Sequence, residues 1–171
     1  MQGYNNYGQL GDGTAISRSV PTSVQSSSPF SMVTMSATGT CAVPGRALPL
    51  PALIASPPAP PVMMRPNCWG SNSQSHWGDS TAAGNAYSVG PETTSIWRQL
   101  SMGLTHTCGI INATSELFCW GADGGGQLGD GTGVSRYSPK QVTGQWTSVM
   151  ASSYHTCGIA VNGSAYCFGE A

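Results

Sequence analysis

The sequence predicts an all-β chain, a partial β-propeller of about three four-stranded antiparallel blades. Three observations carry this. A unit of roughly 50 residues recurs along the 171-residue chain. Each unit holds four short apolar segments separated by Gly, Ser, Asn and Pro, and four strand-length segments at this period form a blade. Strong helix formers are scarce, with 23 Gly and 12 Pro, which excludes helical bundles and disfavours an alternating βα fold.

The repeat rests on four elements. Gly-Gln-Leu-Gly-Asp-Gly-Thr occurs unchanged at Gly8–Thr14 and Gly126–Thr132, with a degraded copy at Ser75–Thr81. Within it stand Gly8, Leu10, Gly11 and Asp12, and again Gly126, Leu128, Gly129 and Asp130. Pro-x-x-Val follows two of these copies, at Pro21–Val24 and Pro139–Val142. Next comes an aromatic, Phe30, Trp97 or Trp146, nine positions before a Thr-Cys-containing segment. Two of those segments read His-Thr-Cys-Gly-Ile, from His106 and from His155, and Gly39–Val43 is a weaker match. The unit closes on Cys68-Trp69-Gly70, Cys119-Trp120-Gly121 and Cys167-Phe168-Gly169. In the last copy the four strands are read as Lys140–Thr143, Trp146–Met150, His155–Val161 and Ser164–Phe168.

These elements, in this order, resemble the regulator of chromosome condensation repeat. The resemblance covers most of the chain except residues 44–66. It implies seven-bladed propellers with about 50 residues per blade, and binding of other proteins through loops on one face. A ring of seven would need about 350 residues, so the chain reads as a fragment of a larger propeller or an incomplete gene model. The expected organisation is a partial first blade over 1–43, an insertion over 44–66, a second repeat over 67–121 and a third over 122–171.

The insertion is located by arithmetic. Cys41 and Cys68 are 27 apart, whereas Cys108 and Cys119 are 11 apart. Pro44–Pro66 absorbs the difference and contains eight of the twelve prolines. Proline fixes φ and removes a donor, so a polyproline-like or disordered loop is expected there.

Six cysteines form three repeat-related pairs. Short hairpin loops would set Cys108 opposite Cys119 and Cys157 opposite Cys167, within disulfide reach. One cross-strand disulfide per blade is expected, with Cys41–Cys68 the distorted case; buried free thiols are the alternative. Asn112-Ala113-Thr114 and Asn162-Gly163-Ser164 are glycosylation sequons on the expected hairpin tips. Paired cysteines and sequons favour an extracellular or secretory setting over a cytoplasmic or nuclear one, although Met1–Tyr4 begins no signal peptide.

A net charge of −1, with only 8% charged residues, leaves no basic footprint for nucleic acid. No apolar run is long enough for a membrane helix. His-x-Cys lacks the ligand spacing of a zinc site. Gly124, Gly126 and Gly129 satisfy Gly-x-Gly-x-x-Gly without the strand–helix context that binds dinucleotides. Asp12, Asp79 and Asp130 recur with the repeat and read as turn-bracing residues rather than catalysts. His106 and His155 read as structural, bonding backbone inside their own blades; Trp97, Trp120 and Trp146 read as blade core. No cofactor, metal or catalytic residue is expected.

The expected function is a protein–protein interaction module with an unidentified protein partner. The loops singled out are Gly133–Tyr137 and Ala82–Ser88. Exposed sheet edges also predict self-association. The alternatives are a guanine nucleotide exchange factor for a small GTPase, the activity that names the family, and a non-functional product of an incomplete gene.

Overall fold

The computed structural model describes residues 3–27, 29–45, 66–82, 88–89 and 96–170. Most of the proline-rich insertion (46–65) and most of the Ala82–Ser88 loop (83–87) lie outside the described residues. Among the described residues, ten strands form two antiparallel sheets. The first contains β1 (Phe30–Met35), β2 (Gly39–Pro44), β3 (Asn67–Gly70) and β4 (Ser88–Val89), in that order. The second contains β5 (Trp97–Met102), β6 (His106–Ile111), β7 (Glu116–Gly121), β8 (Arg136–Ala151), β9 (His155–Ala160) and β10 (Ala165–Gly169).

The six-stranded sheet is two blades joined by one strand. The first half of β8 pairs with β7, Val142 opposite Leu117 and Lys140 opposite Cys119. Its second half pairs with β9, Val149 opposite Gly158. Lys140–Thr143 is therefore the outer strand of the middle blade, not the first strand of the last one. A sequence repeat specifies an element's position along the chain, and here the segment lies between two possible partners. Leu117 and Val142 are both buried, so the apolar pair decides the side.

Three irregularities recur at matching places. The ladder shifts between Phe30 and Met32, between Trp97 and Gln99, and between Trp146 and Ser148. Each follows the aromatic that opens a blade, and such a bulge re-aims the ring toward the core. Leu10, Trp77 and Leu128, the third residues of the heptapeptide copies, are all buried.

The degraded heptapeptide shows which glycine is indispensable. A Cβ on Gly78 would lie 2.6 Å from Trp120 Nε1, and Trp120 is fully buried. On Gly126 a Cβ would meet nothing within 4 Å. The copy at 75–81 keeps Gly78 and tolerates Ser75 and Ser80 at glycine positions, with φ of 57° and 65°. Close packing, more than backbone freedom, preserves the retained glycine.

Candidate functional site

The heptapeptide folds as a braced turn. Asp12 Oδ1 accepts from Thr14 N (3.0 Å) and Thr14 Oγ1 (2.7 Å). Asp79 does the same with Thr81, and Asp130 with Thr132. An Asx turn of this kind replaces absent ladder bonds. An arginine six positions on adds an ion pair: Arg18 to Asp12 Oδ2 at 2.7 Å and Arg136 to Asp130 Oδ2 at 2.9 Å. The hydrogen bonds from Thr14, then those of Arg18, hold Asp12 down to about 2 against the opposing effect of burial. Burial works to raise Asp130, but the bonds from Thr132 and Arg136 outweigh it and leave it below the usual carboxylate range.

A second brace escaped the sequence reading. Asn5 Oδ1 accepts from Leu10 N (2.8 Å), and its Nδ2 donates to Asp12 Oδ1, Thr14 O and Ile16 O. Asn72 repeats this with Trp77, Asp79 and Thr81. The signal was present, because an Asn stands seven positions before the Asp in both copies. The third copy has Asp123 instead. Its Oδ1 accepts from Leu128 N at 2.8 Å, but its Oδ2 is buried without a partner. Burial pushes the Asp123 carboxyl up, and the nearby Asp130 charge pushes the same way; the N–H groups of Leu128 and Gly133 and the Arg136 charge oppose them without cancelling the rise.

Each turn is then clamped to its blade. The Gln9 carbonyl accepts from Thr40 Oγ1 (2.8 Å) and Trp69 Nε1 (2.9 Å). The His76 carbonyl accepts from Thr107 Oγ1 and Trp120 Nε1, and the Gln127 carbonyl from Thr156 Oγ1. The phenyl ring of Phe168 has no N–H to replace the indole donor of Trp69 and Trp120, so the last clamp has one bond fewer.

The cysteines sit directly opposite each other in the ladders and are closed as three disulfides, Cys41–Cys68, Cys108–Cys119 and Cys157–Cys167, each with Cα atoms 4.1 Å apart. The first two are buried, whereas Cys167 is exposed. Asn112 and Asn162 are exposed beyond β6 and β9.

His106 departs from expectation. Its Nε2 bonds the hydroxyl of Thr156 in the next blade at 2.7 Å, not backbone in its own. The hydroxyl that donates to the Gln127 carbonyl thus also meets His106, tying the last two blades together. Burial lowers His106 to about 4, with His155 and His76 adding repulsion. His76 is lowered by burial too. His155 is only half-buried. Trp97 packs edge-on to Phe118 and tilted on Trp120, and Trp146 packs edge-on to Tyr166.

The braced turns present apolar tips. Ile16 and Val134 occupy equivalent positions, two residues after Thr14 and Thr132, and are 62% and 54% exposed. Their amides are tied to the same threonine hydroxyls, at 3.2 Å each. Tyr137, at the end of the Gly133–Tyr137 loop, is also exposed. The first-copy tip, Ile16 and Val20, was not singled out from sequence, although Ile16 lies at the same offset as Val134. Among the described residues no group of His, Cys, Asp or Glu could hold a metal ion, and no helix is long and apolar enough to cross a membrane.

A family model for the regulator of chromosome condensation (RCC1) repeat matches residues 2–43 and 115–159. Among solved structures, human WBSCR16 superposes with a TM-score of 0.71 at 16% identity, over 99% of this chain and 42% of that one. Yeast RCC1 (Prp20), in its complex with Kap60, gives 0.61 at 17% identity over 82% of this chain and 32% of that one. The ectodomain of the receptor kinase CR4 from Physcomitrella patens gives 0.53 at 21%, over 88% and 33%. The chain thus spans less than half the length of each of these proteins, and at these identities the likeness is one of fold.

Proposed function

Since the chain belongs to the regulator of chromosome condensation (RCC1) repeat family, we propose that it is a protein-binding segment of a β-propeller. The observation that carries this is the pair of braced turns holding Ile16 and Val134 out of the fold. An exposed aliphatic on a flexible loop must be ordered before it contributes to binding. These two sit on turns already fixed by hydrogen bonds and an ion pair, so little ordering cost remains. Scaffolded loops of this kind carry recognition in many folds.

The setting is the secretory pathway or cell exterior. Three disulfides support it, as do two sequons whose asparagines are exposed at hairpin tips. The exchange-factor reading stands second. The fold it shares with yeast RCC1 favours it; the disulfides weigh against a reducing nuclear environment.

The test is site-specific photocrosslinking in the native host, with a photoreactive residue at 16 or 134 and a control at Thr22. The same adduct from 16 and 134 is expected, lost with an unlabelled wild-type competitor and retained when a carboxylate replaces Ile16 or Val134 in that competitor. Equal crosslinking from Thr22 would overturn the assignment.

A further inference from the structure

Two asparagines stand at the tips of the central hairpins of the last two blades. Asn112 follows β6 and Asn162 follows β9, and each has a hydroxyl residue two positions on, Thr114 and Ser164. Asn5, Asn6, Asn67, Asn72 and Asn85 have none at that spacing. The buried braces Asn5 and Asn72 therefore carry no glycosylation signal, and both signals fall on exposed tips.

Asn112 is exposed with the next blade already packed beside it. Trp146 N–H donates to Ser115 O at 2.8 Å and Gln145 Nε2 to Thr114 O at 3.3 Å, yet Asn112, Ala113 and Thr114 all stay exposed. Among the described residues nothing bonds the Asn112 side chain. At the second tip Ser164 N–H donates to Asn162 Oδ1 at 3.0 Å, which leaves Nδ2 without a partner among the described residues. The braced turns lie at the other end of the strands. Gly121 pairs with Arg136, two residues after Val134, whereas Glu116 borders the Asn112 tip. Five residues of strand, about 17 Å, separate these two ends of β7. The turn of Ile16 is clamped at the matching end of the first sheet, through Thr40 and Trp69.

We propose that Asn112 and Asn162 carry N-linked glycans, set at the end of the blades away from Ile16 and Val134; this rests on the secretory setting proposed above. The donor is an oligosaccharide whose anomeric carbon is held on a lipid pyrophosphate. The anomeric C–O bond breaks, a C–N bond to the asparagine Nδ2 forms, the amide gives up one proton, and the lipid pyrophosphate leaves with the electron pair. Sugars at these tips cover the hairpin end and leave the turn tips bare. The face that binds protein is then the face without sugar.

Peptide mapping of the chain from its native source, after a peptide N-glycosidase in heavy-oxygen water, tests this. The enzyme converts a glycosylated asparagine to a labelled carboxylate, read as a heavier peptide. Label at positions 112 and 162 is expected. Unlabelled asparagine at either position in a chain with closed disulfides overturns the proposal and leaves the secretory setting standing; unlabelled asparagine in a chain with free thiols overturns both. The crosslinked adduct formed from position 16 tests the placement. Its yield should be unchanged when Asn112→Gln and Asn162→Gln remove both glycans. It should fall at least about tenfold with Gly133→Asn, which completes a sequon with Ser135 at the turn tip and so places a sugar in the way. Gly133 has a φ of 66°, which asparagine also adopts, so the turn is kept. Loss of the adduct on removing the natural glycans from a chain whose disulfides stay closed overturns the placement. So does an undiminished adduct from a Gly133→Asn chain that maps as glycosylated at 133.

Discussion

Replacing Asp123 by asparagine should stabilise the protein at neutral pH. Asn5 shows what the substitution restores: an amide donating to a carboxylate and two backbone carbonyls at 2.9–3.2 Å. Asp123 has an acceptor oxygen where those copies have a donor, and that oxygen is buried without a partner. A buried unsatisfied polar atom costs about 1–3 kcal/mol. Taking about 2 kcal/mol, and about 2–4 °C per kcal/mol at this chain length, Tm should rise by about 4–8 °C. The pH dependence has a definite sign. The folded-state carboxyl titrates above its unfolded value. Its contribution is therefore fully present below the unfolded value near 3.8 and is lost as pH rises through the raised one. The advantage of Asp123→Asn should then grow with pH. Urea midpoints of both proteins between pH 4 and 8, under oxidising conditions, measure the gap. A gap that does not change with pH, or a variant less stable than wild type at pH 7, would refute the reasoning.

Three other outcomes are expected. Gly78→Ala should destabilise by about 3 kcal/mol, since a Cβ there meets an immobile indole, whereas Gly126→Ala should cost only the backbone strain of about 1 kcal/mol; thermal melts distinguish the two. A hydrophilic thiol at native pH should open Cys157–Cys167 before the other two disulfides, because Cys167 is exposed while Cys41, Cys68, Cys108 and Cys119 are buried; stepwise alkylation and peptide mapping give the order. Neutral His106, titrating near 4 rather than its usual 6.5, should make stability fall as pH drops through that window; His106→Gln should flatten this limb in the Asp123→Asn background, and an unchanged limb would count against it.

Much of the fold was legible because the repeat states it several times. The spacing of Cys157 and Cys167 around Asn162-Gly163 specified a hairpin register, and Asp12, Asp79 and Asp130 announced the same turn at each copy. What could not be read was which neighbour an element serves. Lys140–Thr143 lies between two blades in sequence, and only the buried Leu117–Val142 pair assigns it. His106 finds Thr156 fifty positions away, across a seam that has no sequence signature. Asp123 was missed for the opposite reason: the repeat itself marked it, as the one copy in which the buried amide is absent.

The double membership of β8 makes the molecule's cooperativity uneven. The middle and last blades share a backbone, so opening either one strips an edge from the other, and the two should melt as a unit. The first sheet meets them through side-chain bonds such as Thr34–Met102, through Val43 and Met32 packed on Trp97, Leu100 and Trp120, and through the Ser75–Thr81 turn clamped by Thr107 and Trp120. In a linear array, stability is set by such nearest-neighbour couplings. Slow amide exchange should therefore divide the chain into two blocks of different protection, one before β5 and one after it, although the repeat would divide it into three.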